Sequence, residues 1–351
     1  MNKKIVIRVL IIFFSLAIII GAILAFWGWN IALKPNFTVN NESKNLIFVE
    51  KNENFDTLVA KLEADGLVIN SNSLRKLGKL LGSRVDKIPA GCYYINPELN
   101  NFDQVRNITR GLQSPVNVTV NSVRMPQQLV SNISKQLMLD SISLSDYIND
   151  EAKIKELGFE KSEIFTLFVC NTYEMWWTVS VDNFMARMKK EHNNFWNENR
   201  LNKAKNLGLT KNEVVTLASI VEEESKYAPE LSRIAGLYIN RLKRGMLLQS
   251  DPTVKYAVGD FTLNQILYAH LEIDSPYNTY KYVGLPPTPI RLPHASTIDA
   301  VLNAEKNNYI YMCASEKFDG THNFAKTLGE HNRNAAKYHQ ALREWKRSQK
   351  K

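Results

Sequence analysis

Between Val9 and Leu33 no residue carries a charge. That run is long enough to cross a bilayer, for which about 20 residues suffice. Beyond it the apolar positions become periodic. Asn45 to Val49 alternates as a strand, and Phe55, Leu58, Val59 and Leu62 recur at helical spacing before a stop at Gly66. Ser71 or Asn72 can cap a second helix that buries Leu74, Leu77, Leu80 and Leu81. Ala90 to Ile95 reads as a strand, Asn101 to Leu112 as a helix and Val116 to Val123 as another strand. Residues 125–205 read as mostly helical, with Leu129, Ile133 and Leu137 in one segment and Phe184, Met188 and Phe195 in another. Tyr173, Trp176 and Trp177 read as core, with a sugar platform as the lesser alternative.

The pattern is sharpest from Thr210 to Ser225. Thr210 and Glu213 form a capping box, so a helix starts at Lys211. Wound at 100° per residue, Val214, Leu217, Ala218, Val221 and Ser225 share one stripe that must face the core. Glu223 then points into water, while Glu222 and Glu224 fall on the two flanks of the stripe. Three consecutive glutamates are ordinarily a solvated helix face. A carboxyl beside a buried stripe is instead partly desolvated and can hold a proton, which is what a general acid needs. Periodicity does not choose between Glu222 and Glu224.

A second helix follows, with Pro229 in its first turn, Leu231, Ile234, Ala235, Tyr238 and Leu242 as its stripe, and Gly245 as its stop. Asn240 and Arg241 are polar groups near its end. Met246 to Val254 reads as a polar loop entered by apolar residues. The prolines and glycine of Asp274 to Ile290 exclude a regular helix, and its tyrosines and Asn278 offer the flat faces and amides that sugar sites use. Near the end, Tyr309–Ala314 and Thr321–Ala325 form a hairpin around Asp319-Gly320, and a last helix runs from about Leu328 into a basic tail.

Composition adds limits. The chain has 351 residues and a formal charge of +9. No nucleic-acid-binding motif accompanies that charge, which suits an anionic envelope or membrane surface equally well. Cys92, Cys170 and Cys313 are far apart and cannot all pair, and the six histidines are scattered, so neither a disulfide framework nor a metal site is indicated. Lys3, Lys4 and Arg8 precede the apolar run, which places residues 1–8 in the cytoplasm, 9–33 in the membrane and the body outside. Bulky Phe26, Trp27 and Trp29 argue against a cleaved signal peptide. Residues 34–44 read as a polar linker, 45–123 as a small module with a connecting segment, and 124–351 as a mixed α+β catalytic domain.

Five blocks in the C-terminal half occur in the order of a known family: Ala218-Ser-Ile-Val-Glu-Glu-Glu224, Ile239-Asn-Arg-Leu242, Leu248-Gln-Ser-Asp-Pro-Thr-Val-Lys-Tyr256, Ser275-Pro-Tyr-Asn-Thr-Tyr280 with Gly284-Leu-Pro-Pro287, and His322-Asn-Phe-Ala-Lys-Thr327 with Glu330-His-Asn332. Together they resemble the endolytic murein transglycosylase family (MltG, YceG-like). The chain departs from the pattern at Thr288, where glycine is usual, at Asn323, and at Cys170-Asn171, where Pro-Asp is usual.

The resemblance implies an α+β protein with an N-terminal transmembrane helix, a LysM-like module and a mixed α+β catalytic domain. It implies cleavage of the β-1,4 bond between MurNAc and GlcNAc in nascent strands, leaving a 1,6-anhydro end and terminating elongation. It selects Glu222 as the catalytic acid and base, with Glu224 in support, and assigns sugar contacts to Asn240, Gln249, Asp251, Tyr277, Asn278 and Tyr280. Peptidoglycan glycan strands, the bacterial inner membrane and peptidoglycan synthases are the implied partners; no nucleic acid, metal or cofactor is implied. Two alternatives remain at this point: a non-catalytic glycan-binding scaffold, and a hydrolytic muramidase using a second carboxylate, for which Glu224 or Asp251 would serve.

Overall fold

The computed structural model describes residues 3–39, 44–263 and 265–349. The chain divides into two compact units, one formed by residues 1–117 and 174–179, the other by 118–173 and 180–351.

The first unit opens with α1 (Lys3–Gly28), which continues as a π-helical turn over Trp29–Leu33. The apolar side chains of α1 are exposed, as a membrane-spanning helix requires. Next come β1 (Leu46–Val49), α2 (Phe55–Ala64), α3 (Ser71–Leu81), β2 (Gly91–Tyr94) and α4 (Asn101–Thr109). Strands β1 and β2 pair antiparallel, with Leu46 opposite Tyr94 and Val49 opposite Gly91. Asn54 and Asn70 cap α2 and α3 through their side-chain oxygens, so the α3 cap lies one residue before the Ser71 or Asn72 expected. Ile47, Val49, Leu58, Val59, Leu62, Leu67, Leu74, Tyr93 and Ile108 fill the core.

The exit of α1 is bound into this core. Ile31 is buried there, and its carbonyl accepts from Asn101 Nδ2 at 2.7 Å. The Asn101 Oδ1 accepts from Asn36 Nδ2 at 2.8 Å, and Ser73 Oγ lies within 3.1 Å of both amides. Pro35 and Phe37 bridge to Asn100 and Val68. The polar-linker reading of 34–44 therefore differs from the structure over residues 35–37, where buried amides find partners inside the unit; residues 40–43 lie outside the described ones. Trp177 packs edge-on against Phe48 at 5.1 Å. Trp176 is 52% exposed, against the core reading.

Strands β3 (Val116–Val120) and β4 (Asn171–Met175) pair with each other, and both carry the boundary between the units. Between them lie α5 (Pro126–Ser134), α6 (Ser141–Asn149), α7 (Glu151–Glu156) and α8 (Ile164–Leu167). The strand interrupts a stretch expected to be mostly helical; Tyr173 and Met175 alternate inward along it. The second unit continues with α9 (Val181–Phe195), α10 (Glu198–Leu207), α11 (Lys211–Glu224), α12 (Leu231–Lys243), α13 (Asp251–Val258), α14 (Tyr268–Leu271) and α15 (Ala295–Leu302). The hairpin β5 (Tyr311–Ala314) and β6 (His322–Ala325), then α16 (Leu328–Ser348), end it. The hairpin register sets Ala314 opposite His322.

Helix α11 begins at Lys211 under the Thr210–Glu213 box, and residues 214–221 are buried on every side. It is a core helix, packed on α12 and α15 through Leu217, Ala218, Ile234, Ala235, Ile298 and Val301. Helix α13 replaces the expected loop at its C-terminal part: Pro252 stands in the first turn, where its missing N–H costs nothing. No regular helix forms over 274–290, as expected.

Ile31→Ala should lower the stability of the first unit by about 2–4 kcal/mol. Ile20→Ala, on the exposed face of α1, should leave it unchanged. Denaturation of the full chain in detergent micelles compares the two; equal effects would show that the π-helical turn does not belong to the core.

Candidate active site

The last turn of α11 carries Glu222, Glu223 and Glu224, with no basic residue in that turn. A helix C-terminus disfavours negative charge, so each carboxyl needs its own compensation. The structure gives the three different surroundings.

Glu222 faces the N-terminus of α15. Its Oε2 accepts from the His294 backbone N–H at 2.8 Å and from Thr297 Oγ1 at 2.7 Å. Its Oε1 lies 2.9 Å from His294 Nδ1, 3.1 Å from Ser122 Oγ and 3.1 Å from Arg291 Nε. The side chain is 11% exposed, and both oxygens are taken. Glu223 does not point into water. Arg124 holds it with two parallel hydrogen bonds of 2.9 Å, and Arg291 Nη1 adds a third at 2.9 Å. The solvent-facing expectation fails because α11 is covered on all sides, so the position opposite the stripe is also inside.

Glu224 lines a cleft of about 240 Å³. The other walls are Tyr238 and Arg241 of α12, Gln249 and Asp251, Tyr280, and the hairpin with His322. Tyr238 Oη donates to Glu224 Oε1 at 2.7 Å, and Ser250 Oγ donates to the same oxygen. Glu224 Oε2 has no hydrogen-bond partner among the described residues. Burial pushes the Glu224 carboxyl above its ordinary range, with a further push from Asp251; the two hydroxyls and His322 oppose this without cancelling it.

The cleft walls are fixed by backbone clamps. Gly236 lets the segment after α15 pass close to α12: a Cβ there would stand 2.3 Å from the Glu305 carbonyl. Asn240 Nδ2 donates to the Asn307 and Tyr309 carbonyls at 2.9 and 3.0 Å. Arg241 is 7% exposed and donates to the carbonyls of Leu247, Leu248 and Ile310 at 3.2, 2.8 and 2.6 Å. His322 is held by buried Glu230, whose oxygens accept from its backbone N–H at 3.0 Å and contact Nδ1 at 3.1 Å. Gln249 takes a left-handed φ of 52°, fixed by its N–H to the Thr279 carbonyl at 3.0 Å.

Of the residues singled out from sequence, Glu224, Gln249, Asp251 and Tyr280 come together; Tyr280 Oη donates to Asp251 Oδ1 at 2.5 Å. Glu222, Asn240, Tyr277 and Asn278 do not line the cleft. Asn278 is fully buried, with Nδ2 on the Leu271 and Ile273 carbonyls and Oδ1 on the Tyr280 N–H, so no group is left for a sugar. Tyr277 packs against Tyr256 and bonds Thr288 Oγ1 at 2.5 Å, at the position where glycine was expected. Arg241, Tyr238, Ser250 and His322 were not singled out as site residues. Arg241, Ser250 and His322 stand within the family blocks, which was the available signal; Tyr238 stands just outside them, in the apolar stripe of its helix. Among the described residues, no group of three His, Cys, Asp or Glu side chains could hold a metal ion.

A helix-rich α+β fold with a desolvated carboxyl in an open polar cleft defines a protein equipped for general acid–base chemistry on a polar ligand. The chain belongs to the YceG-like family, whose model matches residues 47–337. It is 31% identical over 265 residues to an endolytic murein transglycosylase of Bacillus subtilis, covering 71% of this chain and 72% of that protein. It is 34% identical over 162 residues to an endolytic murein transglycosylase of Streptococcus pneumoniae, covering 45% of this chain and 28% of that longer protein. A crystal structure of a putative yceG-like protein from Listeria monocytogenes shares the fold, with a TM-score of 0.56 and 27% identity over 83% of this chain and 99% of that one.

The raised Glu224 carboxyl has a stability consequence. Below the ordinary carboxyl value of 4.5 both folded and unfolded chains hold the proton. Above it the unfolded chain ionises first, so wild-type stability falls until the folded carboxyl also ionises. Glu224→Gln removes this loss. Melting temperatures measured across pH should show the variant gaining on wild type as pH rises; a constant difference would mean Glu224 is not desolvated.

Proposed function

We propose that this chain is an endolytic lytic transglycosylase of peptidoglycan, with Glu224 rather than Glu222 as its acid and base. The observation that carries the residue assignment is that, of the three glutamates, Glu224 alone lines the cleft, with one oxygen bound by two hydroxyls and the other free. The naming of its relatives supports the activity.

The reaction needs one carboxyl. Glu224 gives its proton to the glycosidic oxygen between MurNAc and GlcNAc. The C1–O bond breaks, its electron pair stays on the departing oxygen, and positive charge develops at C1. The MurNAc C6 hydroxyl attacks C1 and passes its proton to the Glu224 carboxylate. A 1,6-anhydro end forms, and the acid is restored. Desolvation favours the protonated form of Glu224 that the first step uses. Tyr238 and Ser250 donate to the carboxylate in the second. Gln249, Asp251 and Tyr280 lie at the cleft for contact with the sugars. Asp251 is a second cleft carboxylate, so the hydrolytic alternative keeps one observation in its favour; product mass separates them, the anhydro end being lighter by one water.

In this reading α1 crosses the inner membrane with residues 1–8 in the cytoplasm, supported by its length, hydropathy and basic leader. The rest of the chain then acts outside, beside peptidoglycan synthases, on strands as they grow, and its cut ends elongation. The β1-α2-α3-β2 order supports a LysM-like module. Its groove of about 320 Å³, lined by Asn54, Phe55, Asp56 and Arg75, is where that module would hold glycan.

Digestion of uncrosslinked glycan tests the assignment. Glu224→Gln should lose at least about 100- to 10,000-fold in turnover while staying folded. Glu222→Gln should keep turnover per folded molecule and lose about 1–3 kcal/mol of stability through its hydrogen-bond network. A folded Glu222→Gln without activity, beside an active Glu224→Gln, would falsify the choice of acid.

A further inference from the structure

We infer that Arg241 reads the acyl group of the 3-O-lactyl substituent on muramic acid, and so makes the cleft selective for muramic acid over unsubstituted glucosamine. This rests on the peptidoglycan reading and names the group within that substrate which the cleft recognises.

Arg241 is more than nine-tenths buried, yet it lines the cleft beside Glu224. Its Nε and Nη1 are spent on three backbone carbonyls, with Gln249 Oε1 at 3.4 Å from Nη1. Its Nη2 has no hydrogen-bond partner, and Arg241 has no ion pair, among the described residues. The other arginines near α11 are neutralised: Arg124 and Arg291 both close on Glu223. The Tyr311 ring centroid also lies 5.5 Å from the Arg241 guanidinium carbon; ring and backbone carbonyls orient and partly stabilise a guanidinium but bring no net charge. A buried cation without a counter-charge calls for an anionic or strongly polar ligand.

The remaining cleft charges do not supply that counter-charge. Glu224 is neutral while it holds its proton, as its desolvation favours. Asp251 stands at the exposed side of the cleft and is engaged by Tyr280. His322 is turned onto Glu230 through Nδ1. The cleft in its proton-donating state is therefore electropositive at Arg241.

Both sugars of a glycan strand carry a 2-acetamido carbonyl, but only muramic acid adds an acyl group at O3, and only that group can bear a negative charge. Its lactyl substituent ends in a carboxylate on stripped strands and in an amide carbonyl where a peptide is attached. A guanidinium N–H can donate to either, more strongly to the carboxylate. Chitin-type chains have only a hydroxyl at O3, so a guanidinium aimed at that substituent is left with Nη2 unpaired. The cost of an unpaired buried donor is what gives such a contact its discrimination.

Binding measurements on full-length Glu224→Gln in detergent isolate recognition from turnover. Three tetrasaccharides are titrated by calorimetry: alternating GlcNAc–MurNAc with free lactyl carboxylates, the same with these as methyl esters, and chitotetraose. The carboxylate form should bind roughly 10- to 100-fold tighter than chitotetraose, with the ester between them. Adding Arg241→Gln should bring the three affinities to about the same value, within about twofold. Because Arg241 also holds backbone, the ranking of the three ligands on the unaltered guanidinium stands by itself if the double variant does not fold. Equal affinities for the carboxylate form and chitotetraose overturn the inference, as does a folded Arg241→Gln protein that keeps the ranking. Wild-type digestion of peptidoglycan is scored separately: no cleavage sinks the transglycosylase reading, whereas the affinity ranking bears on Arg241.

Discussion

Three adjacent carboxyls at the C-terminal end of a buried helix are the constraint around which the second unit is arranged. The helix dipole opposes negative charge there, and α11 offers no basic residue in its last turn. Glu222 is compensated by the N-terminus of α15 and by Arg291, Glu223 by Arg124 and Arg291. These contacts draw residues 122–124 and 291–297 onto one helix end. Glu224, left over, is desolvated, which favours its neutral form, and its Oε1 accepts from two hydroxyls. The same electrostatic problem thus has a charged solution and a neutral one, two residues apart.

The neutral solution works only if the cleft is held in shape, and α12 does most of that. Along one helix, Gly236 admits a backbone, Asn240 binds it and Arg241 fastens both the turn after α12 and the approach to β5. On the other side Ser219 joins the core of α11 to the proline-rich segment, accepting from the Ile290 N–H at 3.0 Å. The walls are irregular chain, but their polar backbone groups are tied to rigid helices, which satisfies buried donors and acceptors without regular structure.

Much of this was legible in local pattern. The capping box placed the start of α11, the stripe Leu231 to Leu242 placed α12, and Asp319-Gly320 placed the hairpin. The Asp251-Pro252 pair also carried a helix-start signal that the polar look of the segment hid. What was not legible depends on distance along the chain. Periodicity put Glu222 and Glu224 on equivalent flanks, and only tertiary partners distinguish them: the hydrogen-bond partners of Glu222 lie 72 to 100 positions away, those of Glu224 14 and 26. Likewise Asn240 and Asn278 have the right chemistry for sugar, and only the fold reveals that backbone carbonyls already occupy them. Glu223 fell on the wrong side of the reading because a stripe predicts one buried face, and α11 has no exposed face over residues 214–221.

The join between α1 and the first unit has a mechanical meaning. Ile31 is seated in the core and its carbonyl is fastened by Asn101, itself braced by Asn36 and Ser73. A flexible tether would let a domain tumble above the bilayer and lose orientation within a few residues. Here the helix and the module share one lever arm. With α1 in a bilayer as proposed, any tilt of the helix is transmitted as rotation of the first unit. Bilayer thickness, which sets helix tilt, then becomes a control on the angle at which that unit meets the wall.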